Sequence, residues 1–343
     1  MKPILLIGGH GITGRKTAQQ LRLRHPHVPL AIAGRNLAAA QAFADELGNA
    51  LAYAADIGGN AADLGLPHGD FSAMGVFLMD ETGDALRFAS DHAIPYVAVT
   101  GGAFEMGLQF AIGMHAMNHC SVTIASNWFC GGALMAVLAL CGELSSVEAV
   151  TAGIVIDRND SPSGPATRAD FERILGTCTS MPLRSQGAYK WVTGDTGKEQ
   201  YIGTGGRRLE GRPAVSIDAV AIGAATGARD VTVLETWGDS LSWTDEQLSS
   251  DEIVIEARGT AKDGSRVILR QEVVAARETA PITAITIAML LDRAAGLSSG
   301  VPLAPGIYTA ERAIDLAETV AWMKEAGIRF GPVSVRPVEP ERL

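Results

Sequence analysis

Ile4-Leu5-Leu6-Ile7-Gly8-Gly9-His10-Gly11-Ile12-Thr13-Gly14 decides how the rest of the chain is read. Four consecutive apolar residues describe a strand buried on both faces. Gly9-His10-Gly11-Ile12-Thr13-Gly14 then fits the spacing G-x-G-x-x-G. The stretch from Thr13 to about Arg24 has a helical pattern. A glycine string of this kind carries meaning only between a strand and a helix, which is where this one lies. The three glycines serve different ends. Gly9 permits the tight turn, Gly11 lets backbone approach a diphosphate, and Gly14 lets the helix pack closely on the strand. A helix N-terminus with free N–H groups and a favourable dipole can hold the anion. The plain alternative is a glycine-rich turn with no ligand.

Outward from this turn, short apolar runs alternate with helical patterns. Further strands are expected at Leu30–Gly34, Ala50–Ala55, Gly75–Met79, Tyr96–Thr100 and Ser121–Ala125. Asn36 is placed to cap a helix through Leu47, with Gly48 as its C-terminal stop. Thr82 or Gly83 opens another helix ending near His92. Such alternation predicts a parallel sheet covered on both faces. After about Val147 the pattern changes to long strands: Val147–Ile156, Arg229–Thr236, Ile253–Lys262 and Ser265–Ala275. The last pair flanks Asp263-Gly264, a two-residue hairpin signal. A mostly antiparallel sheet is expected there, with a helical island at Ala166–Leu175, a polar stretch at Asp239–Asp251 and closing helices at Ile282–Ala295 and Thr309–Ala326.

The second strand ends Ala33-Gly34-Arg35-Asn36, where a site for an unphosphorylated adenosine ribose usually places Asp or Glu. Arg35 can instead pair with a 2′-phosphate through two hydrogen bonds. NADP is therefore expected over NAD; the alternative is an Arg that merely decorates a helix start. Asn36 belongs to the same corner. Asp56, ending the third strand, can meet the adenine edge or serve as an ordinary turn residue.

Ligands of open α/β sheets lie beyond the carboxyl ends of the strands. The residues there are Met79 and Asp80, Thr100, Gly101 and Gly102, and Ser126, Asn127 and Trp128. Asp80 can bind a ribose hydroxyl, act as acid or base, or cap a helix. Asn127 can hold a carboxamide or cap. Cys130 precedes Gly131-Gly132 at an expected helix start, which lowers a thiol's pKa; a small buried hydrophobe is the other reading. Beyond the first part of the chain, Arg158 and Arg168 can anchor a substrate carboxylate, and Tyr189-Lys190-Trp191 offers an acid, a cation and a stacking plane; surface loop and strand is the alternative for all of them. His115 and His119 are expected to share a helix face at i, i+4, without an evident third ligand, so no metal is expected.

Composition narrows the classes. Hydrophobic residues make up 47% and charged residues 19% of the 343 residues, enough apolar matter for a sizeable core and length enough for two domains. The formal net charge of −10 argues against a nucleic-acid or anionic-membrane partner. No targeting segment or membrane span is read. Cys120, Cys130, Cys141 and Cys178 lack C-x-x-C spacing, as expected of reduced thiols in a cytoplasmic protein.

Three stretches together resemble the saccharopine dehydrogenase-like (saccharopine reductase) family: Gly8–Gly14, Ala33-Gly34-Arg35, and Ile94-Pro95-Tyr96-Val97-Ala98-Val99-Thr100-Gly101. Pro305-Gly306-Ile307-Tyr308-Thr309-Ala310-Glu311 is similar to that family's element near the C-terminus. The resemblance implies an α/β fold. Residues 1–130 would form an NAD(P)-binding Rossmann domain with a doubly wound parallel sheet, and 305–343 would pack back on it. Residues 131–304 would form an α+β domain for substrate binding and dimerisation. It implies hydride transfer on a small amino-acid-derived imine or carbonyl compound, in a homodimer. A non-catalytic NADP-binding sensor or scaffold, an enzyme using its nicotinamide transiently, and a C=C (enone) reductase are the alternatives. Ala98 and Gly102 replace the Asp and Glu common in the family, and Asn127-Trp128-Phe129-Cys130-Gly131-Gly132 replaces its G-F-D-P-G-like turn. These departures speak against saccharopine itself as substrate.

Overall fold

The structure, a computed structural model, describes residues 1–338 apart from 60, 68, 100, 158–164, 241–249 and 277–281. In chain order its elements are β1 (Ile4–Ile7), α1 (Ile12–Arg24), β2 (Leu30–Gly34), α2 (Leu37–Leu47), β3 (Ala50–Ala54), β4 (Ala73–Val76), α3 (Asp84–Asp91), β5 (Tyr96–Ala98), α4 (Glu105–Ala116) and β6 (Ser121–Ile124). Then come α5 (Gly132–Cys141), β7 (Leu144–Asp157), α6 (Pro165–Thr177), β8 (Ser180–Ser185), β9 (Ala188–Thr193), β10 (Glu199–Ile202), β11 (Arg208–Pro213), α7 (Asp218–Thr226) and β12 (Asp230–Gly238). The chain closes with β13 (Ser250–Ala261), β14 (Arg266–Ala276), α8 (Ile282–Ala295), β15 (Gly306–Tyr308), α9 (Ala310–Ala313), α10 (Leu316–Glu325), β16 (Arg329–Phe330) and β17 (Ser334–Pro337).

Two compact units divide the chain. The first comprises Met1–Gly131, Ser163–Ile174 and Thr283–Asp315; the second comprises Gly132–Pro162, Leu175–Ile282 and Leu316–Leu343. The first unit carries a seven-stranded sheet in the order β15-β6-β5-β4-β1-β2-β3, every pair of it parallel. The chain builds outward from β1 to β3, then restarts at β4 on the other side. The switch point therefore falls between β1 and β4, beside the turn that follows β1. All four residues of β1 are buried, as the apolar run demands. The Asn36 side chain caps α2 by accepting from the Ala39 amide at 3.0 Å, and Gly48 follows the helix with φ +67°.

The second unit carries a ten-stranded sheet in the order β10-β11-β12-β7-β13-β14-β16, with β17 on β14 and the β8–β9 hairpin joined through β12. It is mostly antiparallel and so mixed rather than pure, because β12 runs parallel to β7 over nine paired residues. The long excursion through α6, the β8–β9 hairpin, β10, β11 and α7 provides the crossover that a parallel pair requires. α5, buried at eight of its ten positions, packs on β7, β13 and β14.

Four details differ from the reading of the sequence. The hairpin between β13 and β14 turns through three residues, Lys262–Gly264, not two: Ala261 N–H bonds to the Ser265 carbonyl at 2.8 Å and Gly264 takes φ +88°. That is a type I turn closed by a left-handed glycine. The expected helix Thr309–Ala326 is broken, since Ile314 is extended (φ −118°, ψ 153°) and separates α9 from α10. The first unit also takes in segments from beyond residue 130: part of α6, and α8, whose Leu291 lies against Gly75 of β4. Of 305–343, only the part through Asp315 joins the first unit. The polar stretch Asp239–Asp251 falls mostly outside the described residues.

Leu6 lies in the middle of the first sheet with no exposed surface. Leu6→Ala removes buried methyl groups at a site held on both sides by strands, and is expected to cost about 2–5 kcal/mol. A lowered urea midpoint for the first unit's transition, at unchanged far-ultraviolet circular dichroism, is the measurement that checks it.

Candidate cofactor-binding site

The turn after β1 is built by exclusion of side chains. Gly8 takes φ +80° and donates its N–H to the Ala33 carbonyl of β2 at 2.8 Å. The left-handed turn position is therefore Gly8, whereas the spacing of the motif points to Gly9. Gly9 is required for another reason: a Cβ there would lie 2.7 Å from Leu6 Cβ. At Gly14 a Cβ would lie 2.6 Å from the Gly9 Cα, so α1 sits against the turn backbone itself. Gly11 is the N-cap of α1, extended at φ −73° and ψ 171°, and supplies no side chain to the helix. The helix thus begins at Ile12, and Ile12, Thr13 and Gly14 contribute its first amides. Helix-start amides without a side-chain cap are donors aimed out of the helix end, fit for an anion.

His10 fills the space above the end of β2. A Cβ on Gly34 would fall 2.5 Å from the His10 ring. His10 Nδ1 is buried without a hydrogen-bond partner. Burial, reinforced by the nearby Arg15 cation, holds the His10 pKa below its ordinary value, which favours the neutral ring. Arg15, which the motif does not include, donates Nε to the His10 carbonyl at 3.0 Å, stacks 4.3 Å above Phe43 and pairs with Glu46 at 3.0 Å. Its position, one residue past the last glycine of the motif, is the only signal the sequence offers.

At the rim, Arg35 is exposed and pairs with no acid among the described residues. Asn36 spends its side-chain oxygen on the helix cap. Asp56 is exposed at the end of β3, its amide bonded to the Leu64 carbonyl at 3.1 Å and its carboxylate beside Gly59.

The carboxyl ends of β4, β5 and β6 share the edge on which the glycine turn lies, because all these strands are parallel. Met79 is half-buried, with its sulfur 3.9 Å from Gln109 Nε2. Asp80 is buried and its Oδ2 accepts from the Leu86 amide at 3.1 Å, so it acts as a cap for α3. Oδ1 has no hydrogen-bond partner. Burial raises its carboxyl above the ordinary value near 3.8, against the pull of the amide bonds. Thr100 lies outside the described residues. Gly101 has φ +147°, and a Cβ there would lie 2.9 Å from Ser126 Oγ and 3.3 Å from the Gln109 amide. Ser126 Oγ and both polar atoms of the Asn127 side chain are buried and lack hydrogen-bond partners. Asn127 is thus not a cap.

Gly102 donates its N–H to Glu105 at 2.7 Å, and Arg173 of α6 holds Glu105 at 2.5 and 3.3 Å while pairing with Asp170 at 2.6 Å. This chain of contacts pins the backbone after β5. A Glu three residues beyond Gly102 is a recognisable back-bonding spacing; its partner Arg173, 68 residues on, is not legible locally.

Other expected residues lie elsewhere. Cys130 sits in a turn before α5 rather than at its first residues: Phe129 and Cys130 take φ +53° and +52°, and Cys130 is buried with its thiol donating to the Val99 carbonyl at 3.4 Å. That geometry belongs to a packed thiol, not a helix-activated one. Tyr189, on β9 of the second unit, donates to the Val220 carbonyl at 3.2 Å, with Arg184 5.1 Å from its ring. Arg158 and the side chain of Arg168 lie outside the described residues. His119 follows the end of α4, so it shares no helix face with His115. Among the described residues no cluster of three metal-ligating side chains exists, and no helix is long and apolar enough to cross a membrane.

A seven-stranded parallel sheet with its glycine turn at the switch point defines a Rossmann-type fold, joined here to a second, mixed and mostly antiparallel sheet. A saccharopine dehydrogenase (L-Glu forming) from Saccharomyces cerevisiae, histidine-tagged and in its apo form, has the same fold: TM-score 0.68 at 12% identity, over 99% of this chain and 100% of that one. More distant are an oxidoreductase from Agrobacterium radiobacter in complex with NAD+, L-tartaric acid and magnesium (TM-score 0.48, 14% identity, 94% of each chain) and a myo-inositol dehydrogenase from Corynebacterium glutamicum (0.47, 15%, 95% and 94%). No family model and no curated protein sequence matches the chain.

The raised pKa of Asp80 has a definite sign in stability. The folded chain keeps this proton to higher pH than the unfolded chain. The contribution is fully present below the unfolded value and is lost as pH rises through the folded one. Asp80→Asn keeps an oxygen for the Leu86 amide and removes the charge. Its urea midpoint relative to the parent is expected to improve progressively as pH is raised from about 3 to about 6; a difference independent of pH would show that the carboxyl does not carry this burial cost.

Proposed function

We propose that this chain is an NADP-dependent oxidoreductase acting on a small amino-acid-derived imine or carbonyl compound. The observation that carries the reading is the β1–α1 turn. Glycines at 9 and 14 bring a helix start without a side-chain cap to the switch point of a parallel sheet. Amides at such a helix start are complementary to a diphosphate.

The other residues fit the same group. Arg35, exposed and unpaired among the described residues, is the partner of a ribose 2′-phosphate. The unpartnered Asn127 side chain matches the donor and acceptor of a carboxamide, and Gly101 admits a ring close to the backbone. A bound nicotinamide supplies the hydride; the chain positions it, excludes water and carries the proton. His10 serves as packing for the turn, with Asp56 at the adenine side. In the same reading the second unit holds the substrate and dimerises, and four buried free thiols suit a reducing cytoplasm.

One observation favours a second reading, a non-catalytic NADP-binding sensor. Asp80 is engaged as a cap and Cys130 as a packed thiol, so two of the candidate proton carriers have structural duties. Turnover separates the readings: absorbance at 340 nm changes with some member of an imine and carbonyl panel in the first, and with none in the second.

The cofactor preference has its own test. Calorimetric titration is expected to give tighter binding of NADPH than of NADH. Arg35→Asp, which replaces a charge-assisted contact by repulsion, is expected to weaken NADPH by roughly 10–100-fold and NADH far less. Equal losses for both would remove the NADP assignment, and no binding of either would remove the dinucleotide reading altogether.

A further inference from the structure

The second unit contains a cleft of about 630 Å³ that the cofactor reading does not use. Asp195, Lys198, Glu210, Arg212, Glu235 and Trp237 supply its polar and aromatic lining. The volume is that of an ordinary small-molecule site. Its charge is acidic, and both cations are already engaged. Arg212 gives Nε and Nη2 to Glu235 Oε1 at 2.7 and 2.6 Å. Lys198 Nζ stands 2.9 Å from Asp195 and 3.7 Å from Glu210.

Glu235 is the unusual member. It is 2% exposed, in the interior of β12, yet its Oε2 has no partner within hydrogen-bond geometry. The Val215 amide and the Trp237 indole lend the carboxylate some support from nearby, and Arg212 supports it more, but burial outweighs all three and raises its pKa. A buried carboxylate oxygen without a donor is expensive. Replacing Glu235 and Arg212 together by apolar residues would spare a purely structural position this cost. Trp237, two residues along the strand and therefore on the same face, is 42% exposed. A buried acid with one oxygen short of a donor, next to an accessible indole face, is complementary to a protonated amine, whose N–H satisfies that oxygen while its charge and methylenes lie on the ring.

We propose that this cleft binds a small organic ammonium compound, with its N–H donated to Glu235 Oε2 and its alkyl part against Trp237. A carboxylate ligand is disfavoured, since it would enter a wall of three acids whose two cations are paired. The inference stands on the second unit alone and is independent of the cofactor reading.

The test is calorimetric titration of the full chain with 1,5-diaminopentane and with glutarate, a dicarboxylate of the same carbon count. The diamine is expected to bind with a Kd of about 1 mM or below, and glutarate not at about 10 mM. Glu235→Gln is expected to weaken the diamine by at least about tenfold. Because that change also strips Arg212 of its partner, Trp237→Leu at a half-exposed position is the second variant. It is expected to weaken the diamine about fivefold with the fold retained by circular dichroism. Preference for glutarate, no binding of either, or diamine binding indifferent to Trp237→Leu would each overturn the proposal. NADPH titrated into the same samples reports separately on the cofactor site.

Discussion

The site in the first unit depends on a contact between two glycines. α1 lies so near the turn after β1 that a side chain at position 14 would put a Cβ 2.6 Å from the Gly9 Cα. Backbone on both sides of that contact cannot give way as the end of a flexible side chain could. The helix axis, the height of its first amides and the path of the turn are all set there. Once they are set, the amides of Ile12, Thr13 and Gly14 open at the switch point of the sheet, and the sheet order brings the ends of β4, β5 and β6 to the same edge. A larger residue at 14 would tilt the helix and move those amides.

Around this edge the first unit tolerates costs that a packed core removes. Ser126 Oγ, the Asn127 amide, His10 Nδ1 and Asp80 Oδ1 are all buried without hydrogen-bond partners. Each such atom carries a penalty of about 1–3 kcal/mol, a large share of a domain's net stability. The central strands β1 and β2 carry none of these atoms, with Ile4–Ile7 and Leu30–Gly34 buried as unbroken apolar runs. Buried polar atoms without partners also occur away from that edge, on Thr17, Ser121 and Thr123, but the carboxamide of Asn127 and the carboxylate of Asp80 both lie at the carboxyl ends of the strands. The Gly102–Glu105–Arg173–Asp170 chain keeps the backbone there from relaxing to satisfy them.

Much of this was legible because it is local. Strand, glycine spacing and helix lie within about twenty residues, and Asn36 and Gly48 mark both ends of α2 through their own backbone chemistry. What escaped was set by distant partners. Which glycine takes the left-handed turn depends on the Ala33 carbonyl across the sheet, so Gly8 could not be told from Gly9 by spacing alone. Ile314 breaks a run with good helical periodicity at the point where the chain passes from one compact unit to the other, a constraint no pattern in 309–326 contains. The parallel pairing of β7 with β12 needed the intervening 70-odd residues to act as a crossover; the strand patterns themselves are silent on direction. The Glu235–Arg212 pair and its cleft have no local signature, since an acid and a base 23 residues apart on two strands read as ordinary alternation.

The end of the second strand shows how closely the turn and the rim are tied. An NAD-type site sets a carboxylate at the end of the second strand. Here that strand ends at Gly34, and the His10 ring occupies the volume a Cβ at 34 would need, at 2.5 Å. An acid cannot be introduced at 34 while His10 keeps its place, and His10 is held through its carbonyl by Arg15. Any charge at this corner therefore has to come from the next residue, which leaves the sheet and is exposed. That residue is Arg35. The histidine in the glycine turn removes the position from which a carboxylate would face an anion beside Arg35.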